Sequence, residues 1–249
     1  MQLLRKKTIL FAGLIVSLLI SCKKYENPPV FPQAVPRVKS VRYDDDSINY
    51  TYDDRGRLIK YDYHSSADSI LKDYVYTDTT VTVTEKDYTP NGNFQDQSVY
   101  HLNARGLAIS MTDPGNSTIN TYTYDSDNNL LRLEVLRTPP GATYRWDNKF
   151  YYNTRGDMDS STVFANSTGL TTVTHYPEYD LTHTATTGNE NTGLSFLGSA
   201  GKHPLKKTTA GDGTTLYTYT YTYDSLGRIA TQDVSIGGAL LVSYSFTYF

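Results

Sequence analysis

The sequence predicts an all-β protein: a long antiparallel meander of repeated hairpins, in a water-soluble sheet that is strongly curled or partly closed like a barrel. Three observations carry this. Tyrosine is abundant, at 23 residues against 8 Phe and 1 Trp, and in the clearest stretch it alternates with Thr at the two-residue period that puts side chains on one face of a strand. A single turn pattern recurs along the chain. No segment carries a convincing 3.6-residue apolar period.

The turn is clearest within 216–235, LYTYTYTYDSLGRIATQDVS. Tyr217, Tyr219, Tyr221 and Tyr223 are spaced by two and must face one way. Asp224-Ser225-Leu226-Gly227 then supplies the turn: the Asp carboxylate can accept nearby backbone N–H groups, and Gly227 can take positive φ in a type I turn closed by a bulge. That closure pairs Tyr223 with Ile229 and adds an aliphatic residue to the aromatic face. A plain four-residue loop would send Ile229 to the other face.

The same spacing recurs at Asp53…Gly56, Asn103…Gly106, Asp125…Asn128 and Asn153…Gly156, followed by Leu58, Ala108, Leu130 and Met158. Starts at 53, 103, 125, 153 and 224 leave gaps of 50, 22, 28 and 71, near two, one, one and three units of roughly 24 residues; repeats so short must share a core with their neighbours.

Tyr52-Asp53…Gly56-Arg57-Leu58 and Tyr223-Asp224…Gly227-Arg228-Ile229 resemble the YD repeats of RHS-type proteins. With its leader and its long segment before the last hairpin, the chain from about 38 to 249 also resembles a family of uncharacterised Bacteroidetes lipoproteins with a porin-like, curled β-meander fold. That resemblance implies a fold and an envelope location. It carries over no catalytic or ligand-binding residue.

In chain order, 1–21 reads as a lipoprotein signal peptide: Arg5, Lys6 and Lys7 precede an apolar stretch from Thr8 to Ile20 that is short for a membrane span. Leu19-Ile20-Ser21-Cys22 looks like a lipobox, and Cys22 is the single cysteine of the chain. Its acylation would anchor the protein to the lipid bilayer of the outer membrane, with the side of the membrane left open. Residues 22–37 hold Pro28, Pro29, Pro32 and Pro36 and read as an extended tether. Residues 38–249 form a single β domain. Its first hairpin returns with Leu58, Lys60, Asp62 and His64 on one face and Ile59, Tyr61 and Tyr63 on the other. Thr77-Asp78-Thr79 turns a second hairpin inside the 50-residue gap, 89–93 is a loop, and Asp113-Pro114-Gly115-Asn116 turns the chain again. Pro177 lacks a donor and suggests a turn or edge between two short strands. The segment 185–213 holds six glycines and a brief apolar anchor at 194–197, and is either a binding loop or a degenerate hairpin plugging one end of the sheet. Tyr244, Phe246 and Tyr248 alternate to the end, which predicts a paired final strand.

Chemistry is sparse. The formal charge of -3 and the lack of a basic run outside the leader argue against nucleic acid. His175, His183 and Asp180 lack the short spacing of a metal site, Ser195 lacks a nucleophile-elbow context, and the acidic residues fall mostly in turns. The expectation is no catalytic residue, no metal and no cofactor. Candidate binding residues are Trp146, Phe196, Lys202, His203, Tyr217, Tyr219 and Tyr221. The reading is an envelope-anchored binding or scaffold module for a glycan or a partner protein. A polysaccharide hydrolase would need a cleft of paired Asp or Glu, and a purely structural envelope component would leave a sheet edge open.

Overall fold

A computed structural model describes residues 35–89, 92–199 and 201–249. Cys22, the leader and most of the tether lie outside them. Sixteen antiparallel strands follow one another: β1 (Val38–Tyr43), β2 (Asp46–Tyr52), β3 (Leu58–His64), β4 (Ser69–Tyr76), β5 (Thr80–Thr89), β6 (Gly92–Leu102), β7 (Ala108–Asp113), β8 (Thr118–Tyr124), β9 (Leu130–Arg137), β10 (Tyr144–Tyr152), β11 (Met158–Ala165), β12 (Leu170–Tyr179), β13 (Leu205–Ala210), β14 (Thr215–Tyr223), β15 (Ile229–Ile236) and β16 (Ala239–Tyr248). Each pairs with its sequence neighbours, and β1 pairs with β16 from Val38↔Tyr248 to Arg42↔Ser245, so the meander closes into a barrel. Closure satisfies both edges that an open sheet would leave unpaired.

The barrel is an eightfold repeat of two-strand units. Every odd strand carries a buried apolar residue at its turn end, first in the strand except in β5, where it is second: Val38, Leu58, Val81, Ala108, Leu130, Met158, Leu205 and Ile229. Opposite it stands the last inward residue of the preceding even strand, as in Tyr52↔Leu58, Tyr152↔Met158 and Tyr223↔Ile229. A register shift follows each of these three pairs. In β3 the shift puts Leu58 on the inner face with Tyr61 and Tyr63, while Ile59 turns outward beside Lys60; the strict alternation expected for that strand fails because the bulge consumes one residue.

The five expected turns share one hydrogen-bond pattern. In the first, Gly56 N–H donates to the Asp53 carbonyl (2.8 Å) and Asp53 N–H to the Arg57 carbonyl (2.9 Å). Asp53 Oδ1 accepts from the N–H of Arg55 and of Arg57. Asn103, Asp125, Asn153 and Asp224 repeat all of it. The fourth position has φ between 67° and 83° in every copy, supplied by Gly four times and by Asn128 once.

The tyrosines close the units at their base. The hydroxyls of Tyr52, Tyr76, Tyr152, Tyr179, Tyr221 and Tyr248 donate to the carbonyls of Val38, Leu58, Leu130, Met158, Leu205 and Ile229, at 2.6–3.0 Å. An amphipathic ring that reaches across the lumen face and ends in a donor suits this role, which Phe could not fill. Tyr124, beside the small Ala108, is the exception: its buried hydroxyl has no partner among the described residues.

Three expectations are corrected. The gap of 71 residues holds two units and an insertion, not three units: among the described residues the turn between 153 and 224 that joins consecutive units starts at Asp180, whose N–H donates to the Pro204 carbonyl (2.8 Å) as Asp53 does to Arg57. The segment 185–213 is not one loop or plug throughout, since Leu205–Ala210 is β13. Pro177 does not break a strand but sits at an irregularity inside β12, between the pairs His175↔Thr209 and Glu178↔Lys207, where no ladder donor is required.

Candidate binding site

The insertion between Asp180 and Pro204 folds into the lumen. Ala185, Thr186, Thr187, Asn189, Asn191, Thr192, Phe196 and Ser199 are all buried. It takes up the N–H groups that leave the ladder at the bulges: Val38 donates to the Asn191 carbonyl (3.0 Å), Leu58 to Gly193 (3.2 Å), Leu130 to Ser199 (3.2 Å) and Ile229 to Thr186 Oγ1 (3.0 Å). The fully buried Asp157 carboxylate accepts from the N–H of Lys202 (2.9 Å) and of His203 (3.0 Å) and pairs with His203 Nδ1. At the root of the insertion, burial alone would raise the Asp180 pKa. Hydrogen bonds from Thr182, Tyr223 and His183 outweigh that and hold it well below the usual carboxylate range. Of the two functions left open for this segment, plugging describes its position.

The plug also makes a floor. A short 3-10 helix, Ser195–Leu197, presents Phe196 to Tyr76 and Tyr100, edge to face with ring centroids at 6.3 and 5.1 Å. Above it lies a cavity of about 200 Å3. Its walls are inward residues of β4 to β7: Lys72 and Tyr74; Val83 and Glu85; Phe94, Asp96, Ser98 and Tyr100; and Asp113. β5 and β6 are the longest hairpin, paired over ten positions from Thr80↔His101 to Thr89↔Gly92, with β6 starting at Gly92 inside the expected loop. Their length carries Glu85 and Asp96, which face each other across the ladder, toward the rim.

The rim turn then folds over them. Asn116 Nδ2 donates to both Asp96 Oδ2 and Asp113 Oδ2. Gly115 packs against Asp96, where a Cβ would lie 2.4 Å from a carboxylate oxygen. Burial and the neighbouring Asp113 raise the Asp96 pKa above the usual carboxylate value, against the lowering effect of the Gln97 N–H. Lys72 pairs with Glu85 at 2.6 Å and lies 5.9 Å from the centroid of the Tyr61 ring.

The seven binding candidates do not form one site. Phe196 alone lines this cavity. Trp146 stacks on Tyr144 (6.0 Å) on β10, and Lys202 and His203 tie the returning plug to Asp157. Tyr217, Tyr219 and Tyr221 are inner-wall packing; Tyr219 and Tyr221 border a void of only about 10 Å3. Two arginines of the turns are engaged within the wall: Arg57 pairs with Asp53 and lies over Tyr76 (4.5 Å), and Arg228 pairs with Asp224 and lies over Tyr248 (4.6 Å). Sequence reading missed Glu85, Asp96, Asp113 and Asn116. Alternation puts Val81, Val83 and Glu85 on one face, which was the available signal for the first of them.

No family model matches the chain, and no curated protein matches it. Among solved structures it is similar to a porin-like protein from Bacteroides uniformis, at 15% identity and a TM-score of 0.62, covering 88% of this chain and 99% of that one. It is also similar to a porin-like protein from Bacteroides vulgatus, at 12% identity and a TM-score of 0.63, covering 86% and 99%. The shared property is the barrel fold.

Proposed function

We propose that the protein is an envelope-anchored, non-catalytic binding barrel that holds a small molecule or a short part of a partner in the cavity above its plug. The observation that carries this is the cavity itself, with aromatic rings, carboxylates and an amide converging on a floor that the plug supplies. A pore is a poorer reading, because the insertion fills the lumen at the turn end. The outer wall carries ion pairs at mid-strand, including Arg132 with Asp147 (2.7 Å) and Lys60 with Asp62 (3.5 Å). Such charges are costly against lipid and suit a wall in water. The anchor is then lipid on Cys22, placing the barrel at the outer membrane as in the lipoprotein family with YD-like repeats that its sequence resembles.

Two experiments test this. Metabolic labelling with an alkynyl fatty acid should mark the wild type and not Cys22→Ala; equal labelling of both would remove the anchor. A thermal-shift screen of neutral sugars, amines and short peptides on residues 23–249 should return a ligand whose shift is lost in Phe94→Ala. A polysaccharide hydrolase is the second reading, favoured by the facing carboxylates of Asp96 and Asp113. Both accept from one amide nitrogen, closer than the roughly 6.5–9.5 Å of an inverting pair. Release of reducing ends by the wild type and not by Asp113→Asn would prefer that reading.

A further inference from the structure

We infer that the cavity between β4 and β7 takes a small organic cation, an ammonium or guanidinium group seated among Glu85, Asp96 and Asp113 and against the rings of Tyr74 and Tyr100. The inference rests on the binding reading above and adds the ligand's chemistry.

Charge is the first ground. Three carboxylates face this cavity against one ammonium, that of Lys72, which Glu85 already engages. Glu85 and Asp96 stand directly opposite on neighbouring strands, an arrangement that is unfavourable for like charges. Asp113 adds a third charge beside Asp96, and the Asn116 amide that bridges the two is neutral. A cation entering here gains attraction to all three in surroundings less polar than water.

The lining is the second. Tyr74, Tyr100, Phe94 and Phe196 provide aromatic surface beside the carboxylates, the pairing by which ammonium groups are held through both charge and ring quadrupole. Lys72 already shows the mode within the same wall, between Glu85 and the Tyr61 ring. The Tyr74 side chain is buried among Tyr100, Tyr76 and Tyr61 and near Glu85, its pKa pushed well up by that burial. The cavity is also small: about 200 Å3 is below the roughly 300–1,000 Å3 of sites for drug-sized ligands. A short amine suits it better than a polymer segment. A metal ion is the poorer occupant, because among the described residues no three carboxylates, imidazoles or thiolates converge as metal ligands.

The test is calorimetric titration of residues 23–249, which contain the closed barrel whole, with 1,4-diaminobutane, methylguanidine, glucose and calcium in separate runs. The expected result is binding of the amine or guanidine probe, weakened at least tenfold by Asp113→Asn and by raising salt from 50 to 500 mM. Lys72→Gln should tighten it severalfold by removing the competing ammonium, a gain that misfolding cannot produce. Binding of glucose but of neither cation, unchanged by Asp113→Asn, would overturn the cation while leaving a binding barrel. Calcium binding alone would replace the organic cation with a metal. Binding of none of the four by protein with the wild-type circular dichroism spectrum would overturn this inference, and failure of the wider thermal-shift screen as well would bring down the binding reading.

Discussion

At the turn end of the barrel the N–H groups of Val38, Leu58, Leu130 and Ile229 each meet an acceptor in the plug, whereas toward the rim β5 and β6 outrun their neighbours and turn carboxylates into a cavity. Both regions are made from the same two-strand unit. At the turn end the bulge frees a backbone donor that would be costly to bury alone, and the insertion supplies its partner. On the rim side the local polar groups are gathered by the turn 113–116 around space that the described residues do not fill. The insertion thus serves stability at one end while its upper surface, through Phe196, bounds the site at the other.

This contrast can be broken from either side, and alkali is expected to have the largest effect. Burial raises the pKa of Tyr219 and Tyr248 from 10.0 to about 12, at Tyr248 against the lowering effects of the Thr186 hydroxyl and the Arg228 guanidinium. A raised tyrosine pKa means that the folded state holds the phenolic proton more tightly. The stabilisation is therefore complete below pH 10 and lost as the pH rises toward 12. Absorbance at 295 nm and circular dichroism should change together in that window; these tyrosines ionising near pH 10 with the sheet signal intact would contradict the packed inner wall.

Next comes Gly193→Ala. Gly193 has φ +73° and its added Cβ would lie 2.5 Å from the Leu58 nitrogen, so backbone strain and overpacking together should cost about 2–5 kcal/mol in urea unfolding. A change below the error of the titration would mean that the plug is not seated against β3. Tyr76→Phe removes a clasp to the Leu58 carbonyl and should cost about 1 kcal/mol, whereas Tyr124→Phe removes an unsatisfied buried hydroxyl and should be neutral or stabilising. Equal losses for the pair would show that the hydroxyls do not carry the difference. The smallest effect on stability belongs to Gly115→Ala, within about 0.5 kcal/mol as for other surface changes, because its Cβ meets only the end of the Asp96 side chain. Its effect should appear instead in ligand affinity, as the displaced Asp96 leaves the cavity wall.

Much of the fold is legible in the sequence because the turn is local. An Asp or Asn, a residue able to take positive φ three places on, and an aliphatic two places later are enough to locate Leu58, Leu130, Met158 and Ile229 on the inner face. The seventh unit escapes that search because the Gly position of its turn is replaced by the insertion. Tyr179-Asp180 repeats the dipeptide of Tyr52-Asp53 and Tyr223-Asp224, and Pro204-Leu205 completes the turn, so the signal lies in two pieces more than twenty residues apart. Closure is not legible: it depends on twist accumulated over all sixteen strands. Nor is the cavity, because Glu85, Asp96 and Asp113 meet only through the register of β5 with β6 and of β6 with β7, and each taken singly reads as a solvated or turn-capping acid.

Native-state hydrogen exchange decides whether the insertion is part of the barrel's packed interior. The amides of Leu58, Leu130 and Ile229, with Gly193 and Leu194 of the insertion, should exchange only on global unfolding, at the free energy given by urea denaturation. Exchange of Gly193 and Leu194 within seconds, while strand amides of β3 and β9 stay protected, would show a loop that the barrel merely carries and would contradict the account.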